Sequence, residues 1–285
     1  MGEHVRQGGA YRALTQPGPI ALAGCGRMGG PMLAALRAAG FDAQGYDIAP
    51  ENVVDDVPVT DDPSRVAEGL RVLITVVRDE AQTDDVLFGH GRLAERARDL
   101  ETLIISSTLS PRYVRGLAER MPDSVRLVDA PMSGARIAAQ ERRLSFMLGG
   151  EEAELDRLQP LFDAMGAHFH RMGPFGNGAQ AKVLNNLLAA SHTAMTRLVL
   201  DWADATGLDE RRLLALIETS SGQNWLASGM DTIEFARDGW SEDNSIGILV
   251  KDVSAALDAA PLSANTRLPE EVRRVIRALE PRRRS

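Results

Sequence analysis

The apolar run Ile20-Ala21-Leu22-Ala23 leads directly into Gly24-Cys25-Gly26-Arg27-Met28-Gly29, after which Met32, Leu33 and Leu36 recur at helical spacing. A strand, a three-glycine turn and a helix in that order leave few folds open. The first glycine permits the tight turn, the second lets a pyrophosphate approach the backbone, and the third lets helix and strand pack closely. The free amides of the helix N-terminus then face the phosphates. This is the pattern of a Rossmann-type dinucleotide-binding unit. In such units an acid follows about 20 residues on, at the end of the second strand, and here Gly45-Tyr46-Asp47 supplies it. A carboxylate at that point accepts both ribose hydroxyls and repels a 2′-phosphate, so NAD is the expected cofactor and NADP the less favoured one. Arg27 is long enough to reach a 2′-phosphate, which softens the discrimination.

Between Pro19 and Arg171 short β-rich runs at 20–23, 43–47, 72–77, 103–106, 125–129 and 144–148 alternate with helical patterns. That alternation predicts βαβ units and a mostly parallel sheet. From 179 to about 205 the chain changes character. Val183, Leu184, Leu187, Leu188, Met195, Leu198 and Val199 recur at helical spacing with no strong breaker. At about 1.5 Å per residue this helix is on the order of 40 Å long, enough to leave one domain and found another. The segments 210–218, 246–259 and 270–279 also read as helices. The expected architecture is therefore an α/β Rossmann-type N-terminal domain joined by a long helix to an all-α C-terminal domain. The expected boundaries are a flexible extension over 1–18, the dinucleotide domain over 19–175, and the linking helix with a substrate and oligomerisation domain over 176–285. The closing Arg282-Arg283-Arg284 reads as a solvated tail.

Composition narrows the partners. The 285 residues carry a formal net charge of −8, which argues against nucleic acid and against an anionic membrane surface, since both call for a basic face. An anionic substrate therefore needs locally placed donors. The single cysteine, Cys25, allows neither an intramolecular disulfide nor a cysteine-based zinc site, so no metal is expected and a reducing, cytoplasmic setting fits. Residues 1–19 lack the apolar segment of a secretory leader. The longest apolar helix is broken by Asn185, Asn186 and His192, short of the roughly 20 apolar residues a membrane span requires.

Three further segments carry chemistry. They are Asp129-Ala130-Pro131-Met132-Ser133-Gly134, the run from Gly176 to Asn186, and Lys251-Asp252-Val253. In the second of these, Lys182, Asn185 and Asn186 fall at i, i+3 and i+4 and project from one helix face. A lysine and two amides on an apolar helix are costly to bury without partners. On pattern alone, a lysine snorkelling from the helix edge remains an equal reading.

Together with the glycine loop and its Met28-Gly29, these segments make the chain resemble the β-hydroxyacid dehydrogenase family from about residue 19 to 259. The resemblance implies that Ser133 and the amide of Gly134 hold a substrate carboxylate, with Asn186 bonding the same group or the reacting oxygen. It also implies cofactor contacts from Val77 and Arg78, where a Leu-Pro pair is usual, from Thr108, and from Lys251 closing across the cleft. Hydride transfer requires the carbinol hydroxyl to lose a proton, and Lys182, with its pKa lowered by burial, is the candidate to take it. His168, His170 and His90 read as surface residues. The substrate implied is a small anionic 3-hydroxy acid or its semialdehyde, and the assembly implied is a homodimer or homotetramer. Two alternatives stay open: an NADPH-dependent reductase of another carbonyl or imine, and a non-catalytic dinucleotide-binding protein.

Departures from the family pattern cluster after Ser133. Ala135 stands where a second glycine is usual, and Arg142-Arg143 where a Gly-Thr pair is usual, which reads as the start of a solvent-facing strand. Arg136 favours a second anionic group if it points into the cleft, and is a plain surface residue if it points outward. Asn224 and Trp225 stand where the family lines the substrate pocket from its helical domain.

Overall fold

A computed structural model describes residues 17–53 and 56–283, so most of the expected 1–18 extension lies outside the described residues. Among the described residues the sheet has nine strands: β1 (Ile20–Ala23), β2 (Ala43–Tyr46), β3 (Val59–Thr60), β4 (Val72–Thr75), β5 (Thr102–Ile105), β6 (Arg126–Asp129), β7 (Met132–Ser133), β8 (Leu144–Gly149) and β9 (Gly166–Gly173). Their order is β3-β2-β1-β4-β5-β6-β8-β7, with β9 also on β8. The first six strands are parallel, and β8 runs antiparallel to β6 and β7. β1, β4 and β5 are buried along their whole length, as strands covered on both faces must be, which is why they read as unbroken apolar runs. One face packs on Met32, Leu33 and Leu36 of the helix after the glycine loop and on Leu158 and Phe162. The other packs on Leu87, Val114 and Leu117. The order reverses between β1 and β4, and doubly wound sheets bind ligands at the carboxyl ends of the strands flanking such a reversal.

β3 and β7, two residues each, are too short to leave an alternating pattern. Arg142-Arg143 departs from expectation. Arg142 sits in a turn at φ +56°, and β8 begins only at Leu144. A non-glycine residue in the left-handed region costs about 1 kcal/mol relative to glycine. Arg142→Gly is therefore expected to stabilise the protein by about that amount, read as a rise in the urea midpoint at constant slope. Ala135, by contrast, sits at φ −75°, so the missing second glycine leaves no strain.

The linking helix runs from Asn177 to Thr206, about 45 Å, and stops where Gly207 turns left-handed at φ +73°. Its Ala190 and Ala194 pack on Ile246, Leu249, Val250 and Val253 of the helix Ser245–Asp258 and on Val272 and Ile276 of the helix Arg267–Arg277. The helix Glu210–Glu218 forms where expected. Asn224 makes local hydrogen bonds. Its carbonyl caps the short helix Trp225–Ser228 through the amides of Leu226 and Ala227, while its amide donates to the Gly222 carbonyl at 2.9 Å. Trp225 donates to the Ala189 carbonyl at 3.3 Å and packs on Phe235.

The basic C-terminal run departs from a solvated tail at Arg282, while Arg283 is exposed. The Arg282 side chain is 6% exposed and pairs with Glu210 at 2.7 Å and with Asp201 and Asp204 at 2.8 Å. Glu210 is itself buried, and a buried carboxylate needs a counter-charge. Arg282 and Arg237 supply it; Arg284 lies outside the described residues. Among the described residues no helix is long and apolar enough to cross a membrane.

Candidate active site

The glycine loop divides its three glycines by physical role. Gly24 turns at φ +93°, and a Cβ on Gly29 would lie 1.9 Å from the Gly24 carbonyl oxygen, so only glycine lets the helix Gly29–Ala38 begin this close to β1. At Gly26 a Cβ would meet nothing within 4 Å. The backbone there faces open space, as a surface does that a phosphate must approach. Met28 is half-buried against the core beneath the loop. Arg27 reaches across to the helical domain and pairs with Glu234 at 3.0 Å.

Asp47 follows β2 and is tied to this turn. Its Oδ2 accepts the Cys25 amide at 2.7 Å, and its Oδ1 accepts the Ala49 amide at 3.0 Å. The carboxylate is thus fixed beside the loop, with lone pairs left for hydroxyl donors. Burial, with the Asp47 charge beside it, pushes the Cys25 thiol up to about 12, which leaves the thiol inert.

Lys251 joins the two halves of the molecule. From the helix Ser245–Asp258, its Nζ donates to the Arg78 carbonyl at 3.2 Å and to the Thr108 carbonyl at 2.9 Å. These carbonyls lie in the loops that follow β4 and β5, beside the switch point. Val77 is half-buried there and the Arg78 side chain is exposed. Further along the same helix, Asp258 bonds Ser110, and Arg112 donates to the Asp258 carbonyl at 2.9 Å. The helical domain therefore rests on the carboxyl-end loops of the sheet.

The linking helix is anchored at its start by Asp129, the last residue of β6 and fully buried. Asp129 Oδ1 accepts the Gly176 amide at 2.7 Å, and Oδ2 accepts the Ala179 amide at 2.5 Å. A carboxylate on the first amides of a helix meets both their hydrogen-bonding need and the helix dipole. Burial pushes the Asp129 carboxyl up, and the two amides hold it down. Nothing in the sequence singled out this contact, because the partners lie about 50 residues apart.

One turn on from that anchor stands Lys182, 7% exposed. Asn186, at i+4, donates from Nδ2 to Asp252 Oδ2 at 2.7 Å. Asp252 is buried, and its Oδ1 has no hydrogen-bond partner, although Lys251 Nζ lies 3.6 Å from it. Burial lowers the Lys182 pKa, the Asp252 charge opposes that shift, and the Lys251 charge adds to it. Burial likewise raises the Asp252 carboxyl, against the charges of Lys251 and Lys182. Besides the Lys251-Asp252-Val253 segment, the sequence held a second signal for Asp252. It falls at the core-facing spacing of Leu249 and Ala256, a position where an acid needs a reason to be.

The three polar residues of this helix face do not share one environment. Lys182 is buried and Asn186 half-buried, whereas Asn185 is exposed and reaches Asn186 Oδ1 at 3.3 Å. Ser133, on β7, pairs in register with Ser145 on β8. Gly134 follows at φ +130°, where a Cβ would lie 2.8 Å from that of Ala138. Ser133, Gly134, Ala181 and Asn185 help to line a groove of 590 Å³. Arg136, half-buried at the start of the helix Arg136–Gln140, is not among its lining residues.

The family model described as the NAD-binding domain of 6-phosphogluconate dehydrogenase matches residues 19–173. The chain belongs to the β-hydroxyacid dehydrogenase family. A second model, described as the NAD-binding domain of NADP-dependent 3-hydroxyisobutyrate dehydrogenase, matches residues 176–282. Among relatives of this member of the family, the 3-hydroxyisobutyrate dehydrogenase of Pseudomonas aeruginosa is 31% identical over 261 residues, covering 87% of this chain and 88% of the relative. An NAD-dependent L-serine dehydrogenase of the same organism is also 31% identical, covering 87% of each chain. The solved 3-hydroxyisobutyrate dehydrogenase of Mycobacterium tuberculosis with L-serine is 28% identical, with a TM-score of 0.74 over 92% of this chain and 95% of that one. The protein is thus a nicotinamide-dependent dehydrogenase with the family's Rossmann-type and helical domains.

Proposed function

We propose that this enzyme oxidises a small 3-hydroxy acid with NAD, or reduces the matching semialdehyde, in the manner of a 3-hydroxyisobutyrate dehydrogenase, with Lys182 as its general acid and base. The observation that carries the reading is an enclosed amine beside an Asn186–Asp252 pair at the junction of the two domains. The bound nicotinamide supplies the hydride acceptor. Lys182, neutral in the oxidative direction, accepts the hydroxyl proton, and in the reductive direction the ammonium returns it. Ser133 and the Gly134 amide hold the substrate carboxylate. Asp252 accepts a hydrogen bond from one N–H of the Asn186 amide and so fixes the direction in which Asn186 presents its remaining donor. Orientation of this kind is where much of the barrier reduction in such reactions arises. The test is NAD reduction measured over 3-hydroxyisobutyrate, 3-hydroxypropionate, glycerate and L-serine. Turnover of at least one is expected, and binding of NADH with turnover of none would favour a non-catalytic dinucleotide-binding protein.

In the cofactor site, Gly24, Gly26 and Gly29 with Arg27 and Met28 form the pyrophosphate cradle, and Val77, Arg78, Thr108 and Lys251 flank the nicotinamide half. Asp47 selects NAD, because its charge opposes a 2′-phosphate. Arg27 is engaged by Glu234 and so is not committed to a phosphate. Replacing Asp47 with serine is expected to lower the ratio of kcat/KM for NAD over NADP by about tenfold or more, a change of ~1.4 kcal/mol; an unchanged ratio places selection elsewhere.

The working form is a homo-oligomer in a cytoplasmic setting, with the domain boundaries near residues 18 and 175. Leu184, Leu188, Met195, Leu198 and Trp202 are 52%, 61%, 60%, 38% and 65% exposed and repeat along one side of the linking helix. An apolar stripe of that length is unusual on a monomer. Leu188→Glu combined with Trp202→Glu is expected to halve the mass seen by light scattering, and an unchanged mass excludes this face.

A further inference from the structure

The groove beside Ser133 is built for more than the group that Ser133 holds. Its floor is the outer face of β7, β8 and β9, where Ser133 lies opposite Ser145 and Ser145 opposite His168. His170, opposite Met147, stands one pleat further along. Asn185 closes one side and Arg143 another. Both histidines are exposed. The guanidinium of Arg143 is paired with Glu141, its Nε donating at 2.8 Å, and no lining residue carries a carboxylate. In a chain of net charge −8, a lining without carboxylates that offers two imidazoles, its one guanidinium being held by Glu141, is a local exception, and such exceptions attract anions. A volume of 590 Å³ also falls in the range of small-molecule sites, roughly 300–1,000 Å³.

The geometry points to a 3-hydroxy acid with two anionic ends: one carboxylate on Ser133 and Gly134, and a branch from the carbon bearing it that carries a second anion across the sheet to His168 and His170. With neighbouring strands about 4.8 Å apart, Ser133 and His168 are separated by roughly 10 Å, a span that a short aliphatic branch covers between the two side chains. Ser145 lies directly between Ser133 and His168, with Met147 beside it and Met172 past His170, so methionine side chains flank the path that a methylene chain would take. Imidazole donors serve a carboxylate, a sulfonate or a phosphate alike, so the shared requirement is the distal negative charge. The inference rests on the proposed role of Ser133 and Gly134 in holding the first carboxylate.

The test compares 2-(hydroxymethyl)adipate with 2-(hydroxymethyl)hexanoate, which has the same chain length and ends in a methyl group, and adds terminal sulfonate and phosphate analogues to rank the anions. The native enzyme is expected to favour the doubly anionic substrate by about tenfold or more in kcat/KM, mainly through KM, as a charge-assisted contact gives. The double substitution His168→Ala, His170→Ala is expected to bring that ratio close to one. A binding readout is independent of turnover: imidazole proton signals of the NAD-loaded protein, assigned from the single histidine variants, are followed on adding adipate or hexanoate. Adipate is expected to shift the His168 and His170 signals, and hexanoate is not. Turnover of hydroxy acids with no preference for the second anion and no such shift overturns the groove assignment and leaves the proposed activity standing. Shifts with adipate and no turnover of any hydroxy acid uphold the groove and overturn the activity.

Discussion

Replacing Lys182 with alanine is expected to lower kcat by about 10²-fold or more while the affinity for NAD stays within about twofold, the usual cost of removing a positioned acid–base group. The reason lies in where the amine sits. At 7% exposure it is poorly solvated, and burial lowers its pKa despite the nearby Asp252 charge. In the proposed mechanism the neutral form accepts the hydroxyl proton. Oxidation should therefore speed up as pH rises through the Lys182 pKa, with the rising limb of kcat/KM below the ordinary lysine value of about 10.4. Reduction, which needs the ammonium, should slow over the same interval. The limb should vanish in the alanine variant. Lys182→Arg keeps a positive charge that does not titrate in this range, so it should be as inactive in oxidation as the alanine variant. A Lys182→Ala enzyme with native turnover and an unchanged pH profile would remove this residue from the chemistry.

The second large effect expected is structural. Asp129→Ala should cost about 3–5 kcal/mol of stability, because it leaves two buried backbone amides without acceptors and opens a cavity where the carboxylate stood. Those amides belong to Gly176 and Ala179, at the start of the helix that presents Lys182. Asp129→Asn keeps one acceptor oxygen but sets its amide group against a donor, so a smaller loss of about 1–3 kcal/mol is expected. Urea midpoints at unchanged slope would measure both. Because the same contact sets the position of Lys182, the asparagine variant should also lose kcat at temperatures where it remains folded. A loss below about 1 kcal/mol for the alanine variant would mean that water or neighbouring groups satisfy these amides.

The order of elements was legible in the sequence because buried parallel strands and an amphipathic helix each impose a period. β1, β4 and β5 read as apolar runs, and the linking helix was read to within two residues of Asn177 at its start and one of Thr206 at its end. The dinucleotide loop was legible for a different reason: steric demands at Gly24 and Gly29 leave no other residue possible. Contacts between distant segments were not. Asp129 on the Gly176 amide, Lys251 on the carbonyls of Arg78 and Thr108, and Asp252 on Asn186 each join residues far apart in the chain. No local period records them. Charge runs misled for the same reason, since Arg282 counted as a tail residue until Glu210 and Asp201 came into its reach. Asn224 looked like a pocket residue by position, while its carbonyl is committed to a helix cap.

Hydride transfer with Lys182 as proton carrier requires a single distance. The direct measurement is a structure of the enzyme with a bound 3-hydroxy acid and either a non-reactive NAD mimic or NAD itself trapped at low temperature. The expected result is Lys182 Nζ within about 3.2 Å of the carbinol oxygen, the reach of a general base, with the carboxylate on Ser133 and Gly134. An amine more than about 5 Å from that oxygen, with no bridging water, would contradict it.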